Sequence, residues 1–114
     1  MVRYMTESRA LLVFTAAPDR EAGMELLRSA VAAHLAASGQ VVGPAGTAFW
    51  HLGELGTGEE WQLSLRTTSE RYAELEAHLL EHHPWDNPEI MYVTVAGGSQ
   101  ACLEWLTRET RRSS

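Results

Sequence analysis

Glu81-His82-His83-Pro84-Trp85-Asp86-Asn87-Pro88-Glu89-Ile90 marks the point where a helix gives way to a strand. Proline disfavours helical dihedrals in the residue before it, so a helix arriving from the N-terminal side stops near His83. The β-branched run over residues 90–95 reads as the strand that follows. Upstream, Tyr72, Leu75 and Leu79 recur at helical spacing, with Ser69 placed to cap that helix. Before it, Trp61, Leu63 and Leu65 alternate with Gln62, Ser64 and Arg66, the period of a half-buried strand.

The pattern extends in both directions. Residues 10–15, with Val13 and Phe14, form a short apolar run that reads as a buried strand. Pro18-Asp19 opens a helix with Asp19 as N-cap and Glu21 in the favourable first turn. Leu27, Ala30, Val31, His34 and Leu35 carry that helix forward, and Gly39 fits its stop. Residues 40–52 are a strand that bends at Gly43-Pro44 and Gly46, and the three glycines of residues 53–58 suit a hairpin loop. Gly97-Gly98-Ser99 opens a third helix with Cys102, Leu103 and Leu106 inward, while residues 1–8 and 109–114 are polar and read as loose ends. The order β-α-β-β-α-β-α predicts an α+β, ferredoxin-like sandwich, two β-α-β units joined by a hairpin, with an extra C-terminal helix. Such a sheet has helices on one face and leaves the other bare.

With 114 residues the chain makes a single domain over residues 1–114, its core about residues 10–108. A net charge of −6 excludes the basic stripe that nucleic acid requires. All nine basic residues are Arg, which excludes Schiff-base chemistry and a phosphate-cradling Lys loop. No Gly-x-Ser-x-Gly, Cys-His-Asn or His-Glu-x-x-His arrangement occurs, so no machinery for nucleophilic catalysis or zinc proteolysis is visible. No stretch approaches the roughly 20 apolar residues of a membrane span, and residues 10–14 are too short for a secretory leader. The lone Cys102 fits a reducing, cytoplasmic setting.

Four motifs in register resemble the CutA family of divalent-cation tolerance proteins. The turn His82-His83-Pro84-Trp85 through Pro88-Glu89 is similar to the family's His-His-Pro-aromatic-x-x-Pro-Glu. Phe14-Thr15-Ala16-Ala17-Pro18 resembles its strand ending in Thr-Ala-Pro, Leu65-Arg66-Thr67-Thr68 its Lys-Thr-Thr strand end, and Leu103-Glu104-Trp105-Leu106 its Leu-x-Trp-Leu. The resemblance covers residues 10–108, nearly the whole chain. It implies a homotrimer without catalytic activity, associated with copper or another divalent metal, in which neighbouring subunits cover the bare sheet face. The chain departs from the family at Phe14, where copper-binding members carry a cysteine, at Ser38, another frequent cysteine position, and at Trp50-His51-Leu52-Gly53-Glu54, where Trp-Glu-Gly-Lys is usual. A phenyl ring cannot replace a thiolate ligand.

Because imidazole is the commonest metal ligand, His82 and His83 are the candidate metal ligands, with His78 one turn before His82 and Glu74 or Glu81 as oxygen donors. Hydrogen bonding to backbone at the helix end is the other role open to them. Glu89 matches the family's Pro-Glu, and Arg66 is its expected partner. Trp50, Trp61 and Trp85 are expected at subunit boundaries or in a cleft between subunits, where aromatics concentrate. Two other functions fit the same architecture: a nitrogen-regulatory, PII-like trimer sensing a nucleotide or small molecule, and a structural trimer tethering a partner through residues 50–60.

Overall fold

Strand alternation decides which side chains meet the helices. In the computed structural model, which describes residues 9–112, β1 (Ala10–Ala17), β2 (Ser38–His51), β3 (Glu54–Thr68) and β4 (Met91–Thr94) form one sheet. Their order is β2-β3-β1-β4 and every neighbouring pair is antiparallel. The helices α1 (Arg20–Ala32), α2 (Tyr72–His82) and α3 (Gln100–Glu109) follow β1, β3 and β4. This is the expected order of elements. The loose segment expected over residues 1–8 lies outside the described residues.

Leu11, Val13 and Ala17 of β1 and Leu63 and Leu65 of β3 share the helix-facing side of the sheet. There they meet Leu26, Leu27 and Ala30 of α1 and Leu75 and Leu79 of α2. Complete burial of a leucine contributes about 1.5–3 kcal/mol, so this cluster dominates the stability of the chain. The C-terminal segment is not loose at Thr110. Its side chain is buried, its hydroxyl donates to the Leu106 carbonyl at 2.9 Å, and the Thr68 hydroxyl lies 3.4 Å away. In this way α3 is fastened against β3 and β1.

Helix boundaries follow the backbone groups that need partners. Asp19 caps α1 as expected, its Oδ1 accepting from the Ala22 N–H at 2.8 Å. That helix ends at Ala32 rather than continuing through His34, which sits in the left-handed region at φ 60°. Gly39 is no helix stop but part of β2. A Cβ there would collide with the Ser64 carbonyl and with Leu27, so glycine permits the close approach of α1 and β3. Ser69 does not cap α2. Its Oγ accepts from the Arg9 N–H at 2.9 Å, and α2 begins at Tyr72 without a side-chain cap. Ser99 does cap α3, accepting from the Cys102 N–H, yet Cys102 itself is exposed rather than inward.

The hairpin is the unusual element. Strands of 14 and 15 residues greatly exceed the usual length of about five or six. The three-glycine loop is replaced by a tight turn at Leu52-Gly53, both at positive φ (52° and 81°), with Gly56 inside β3. A Cβ at Gly56 would lie 2.7 Å from the Phe49 ring across the ladder. The expected irregularity at Gly43-Pro44 is a register shift between Val42 and Ala45. Beyond it the two strands run on as an arm, giving the molecule extents of 52 × 25 × 22 Å.

Candidate functional site

The end of α2 places three imidazoles in three different settings. His83 is buried, donates from Nε2 to the Ala16 carbonyl at 2.7 Å, and accepts the Trp85 N–H on Nδ1 at 3.1 Å. Those two bonds fix it as a neutral imidazole with no free nitrogen. The exposed His82 donates from Nδ1 to the His78 carbonyl at 2.9 Å, leaving Nε2 to solvent. His78 is half-buried, with Nε2 2.8 Å from the Ser29 Oγ. Because that hydroxyl already donates to the Leu26 carbonyl, it accepts from His78. Burial holds the His78 imidazole below its ordinary value of 6.5; the neighbouring His82 lowers it further and Glu81 opposes both.

The expected ligands His82 and His83 are thus neighbours in sequence whose rings serve different purposes. His83 performs the backbone role weighed for it at the helix end. The half-exposed Trp85 lies against it, ring centroids 5.3 Å apart. Arg66 turns to β2, donating to the Ser38 Oγ and the Gln40 Oε1 at 3.2 and 3.4 Å. Glu89 lies instead at the rim of a depression in the sheet face opposite the helices.

That face is largely apolar. Register pairs Phe14 with Met91 and Ser64, and Leu12 with Val93 and Arg66, so these side chains share it. Phe14, Val42, Met91 and Val93 are all exposed there. The depression, about 400 Å³, is lined by Phe14, Val42, Gln62 and Met91, with Glu60 and Glu89 as its charged groups. Trp61 faces the helices, half-buried over Gly43, where a Cβ would come within 2.6 Å of its ring. Trp50 is 75% exposed on the arm, beside Leu55 at 64% and Leu52 at 90%.

The sequence model of the CutA1 divalent ion tolerance protein family matches residues 11–109. The chain belongs to that family. It is 31% identical over 104 residues to the chloroplastic protein CutA 1 of Oryza sativa subsp. japonica, aligned over 91% of this chain and 59% of that protein. The chain therefore spans less than two thirds of the plant relative's length. It covers 93% of the divalent-cation tolerance protein CutA of Pectobacterium atrosepticum, at 28% identity over 90% of itself. The crystal structure of CutA1 from Oryza sativa superposes with a TM-score of 0.88 at 30% identity, covering 92% of this chain and 96% of that one. The divalent cation tolerance protein of Thermus thermophilus gives 0.87 at 25% identity, covering 90% and 99%.

Set against a CutA-family divalent metal, the donors of a single chain do not assemble a built centre. Among the described residues no group of three or more His, Cys, Asp or Glu side chains converges. Phe14 offers no thiolate, and Cys102 is remote in sequence on the surface of α3. Sequence reasoning missed Ser29, which lies 49 residues from His78 and carried no local signal. It also missed the tip residues Leu52 and Leu55 as individuals.

Proposed function

We propose that this CutA-family chain works as a non-catalytic, cytoplasmic homotrimer of ferredoxin-like subunits that takes up copper or another divalent cation weakly through imidazole. The observation that carries the reading is the arm. Its tip holds Leu52 at positive φ, where a leucine is disfavoured by about 1–2 kcal/mol, and 90% exposed, so the side chain gives its own subunit nothing. Strain retained at an exposed apolar tip is explained by contact with another copy. The exposed face bearing Phe14, Val42, Met91 and Val93 supplies the complementary apolar surface. A cyclic arrangement of three closes both, and obligate interfaces of this kind bury roughly 2,000 Å² or more.

Metal uptake rests on the family's association with divalent cations and on the free Nε2 of His82. Glu60 and Glu89 beside the apolar floor speak against the nucleotide-sensing alternative, since carboxylates repel phosphate and no basic side chain among the described residues lines the depression. A structural trimer tethering a partner would use the same arm. Light scattering on a size-exclusion column tests the assembly directly: the expected species has three times the 12.6 kDa chain mass. A folded monomer would refute the reading.

A further inference from the structure

The depression on the sheet face opposite the helices is made by differences in side-chain size. Register sets Val42, Gln62 and Ala16 side by side across β2, β3 and β1, with Ser64, Phe14 and Met91 forming the next row. Ala16 is the smallest of the six and lies buried at the floor, so its larger neighbours stand around it as walls. Two carboxylates complete the lining, Glu60 two positions before Gln62 on β3 and Glu89 two positions before Met91. We infer that this depression binds a small organic dication, an aliphatic α,ω-diamine whose chain lies over Ala16 and whose ammonium groups meet Glu60 and Glu89. The inference needs one chain only and is independent of metal uptake.

Volume, charge and spacing point to the same ligand. A hollow of about 400 Å³ falls within the range of about 300–1,000 Å³ common for small-molecule sites. Among the described residues, neither Glu60 nor Glu89 takes part in an ion pair or hydrogen bond. Arg66, the basic residue that shares this face, is turned to Ser38 and Gln40. The negative charge beside the apolar floor is therefore left for a ligand to neutralise, and the Phe14 ring in the lining adds a surface that attracts ammonium. Because β1 separates β3 from β4, two strand spacings, about 10 Å, lie between the backbones that bear the carboxylates. Groups held that far apart suit two ammonium ions joined by a short alkyl chain better than one. A monatomic cation is the poorer fit, since Phe14, Ala16, Val42 and Met91 offer it no oxygen ligand.

The test is titration calorimetry of the assembled protein with the α,ω-diamines of butane and hexane, and with hexylamine as the single-charge control. Wild type should bind a diamine, and hexylamine about tenfold more weakly, the loss of one charge-assisted hydrogen bond. Glu60→Gln and Glu89→Gln should each weaken diamine binding by about tenfold while bringing it level with hexylamine. Ala16→Leu fills the floor but keeps both charges, and should abolish binding; circular dichroism checks that each variant is folded. Equal affinity for diamine and hexylamine in wild type would overturn the two-carboxylate site, as would displacement of the diamine by magnesium at equal ionic strength. Binding by Leu52→Asn but not by wild type would give the depression to a second copy's arm, and would likewise overturn the proposal. A monomer in light scattering that still binds the diamine would refute the trimer and leave this site standing.

Discussion

His83 donates its Nε2–H to the carbonyl of Ala16, 2.7 Å away, tying the end of α2 to the end of β1 across 67 residues of chain. The bond satisfies a buried carbonyl with a neutral ring, which accepts the Trp85 N–H on its opposite nitrogen. One side chain therefore sets where the helix stops, how the following turn leaves it, and how β1 ends. Replacing it by Ala strands both backbone partners, at a cost of about 1–3 kcal/mol for each group left buried and unpaired. His83→Ala should lower the urea midpoint accordingly while leaving copper affinity within about twofold, the ring's nitrogens being already engaged. A loss of copper binding without a loss of stability would reverse this assignment of structural role.

Trp61 covers Gly43 where β2 shifts register, and it shares the helix-facing side of β3 with Leu63 and Leu65. Full burial would make truncation cost about 3–5 kcal/mol, so the half-buried ring should lose about 2 kcal/mol on Trp61→Ala. Gly43→Ala attacks the same contact from the other strand and should cost about 1–3 kcal/mol by overpacking. Thermal melts read both. In the double variant the penalty of Gly43→Ala should largely vanish, because the ring it strikes is gone.

Leu52 offers a change that separates folding from assembly. A two-residue turn with both residues at positive φ prefers Asn-Gly, so Leu52→Asn should relieve about 1 kcal/mol of backbone strain. The same change removes an exposed apolar tip. The expected result is an assembly that dissociates at higher protein concentration in sedimentation velocity, with secondary structure intact. An unchanged assembly would place the subunit contact elsewhere.

His78 titrates below its unfolded value of 6.5, so the folded state holds fewer protons than the unfolded chain as pH falls through that region. Its contribution to stability is complete above about pH 6.5 and is lost progressively as pH drops toward the depressed folded value. Urea midpoints should therefore fall between about pH 7.5 and 5.5, and His78→Gln should make the fall shallower. An identical pH slope in the two proteins would show that His78 protonates without cost.

Much of this was readable from the sequence. Asp19, the alternation of Leu63 with Leu65, and the Pro84 stop are local signals, and the structure obeys them because nothing distant competes. Glycine misled at Gly39 and Gly56, where the residue answers to a carbonyl or ring on the adjacent strand and not to a turn of its own. Ser69 failed as a cap because Arg9, sixty positions away, took its oxygen. Cys102 has helical phase on its side, but burial along α3 starts about a turn later, at Leu106 and Thr110. At the candidate site the adjacent pair His82-His83 was conspicuous in sequence. The orienting partner Ser29 sits on another helix, and only the packing of α1 on α2 makes it visible.

The arm's isolation has a consequence for its dynamics. Past the register shift at Val42, β2 and β3 pair only with each other, and a two-stranded ribbon is marginal alone in water. Local opening of backbone amides should therefore grade along one hairpin, rapid near Leu52 and as slow as global unfolding at Leu65, which pairs with Val13 on its other side. In hydrogen–deuterium exchange, slow amides in residues 46–58 would be supplied by neighbouring subunits. The protection of that ribbon, followed on dilution, would then become a residue-by-residue gauge of how long one copy stays in the grip of the next.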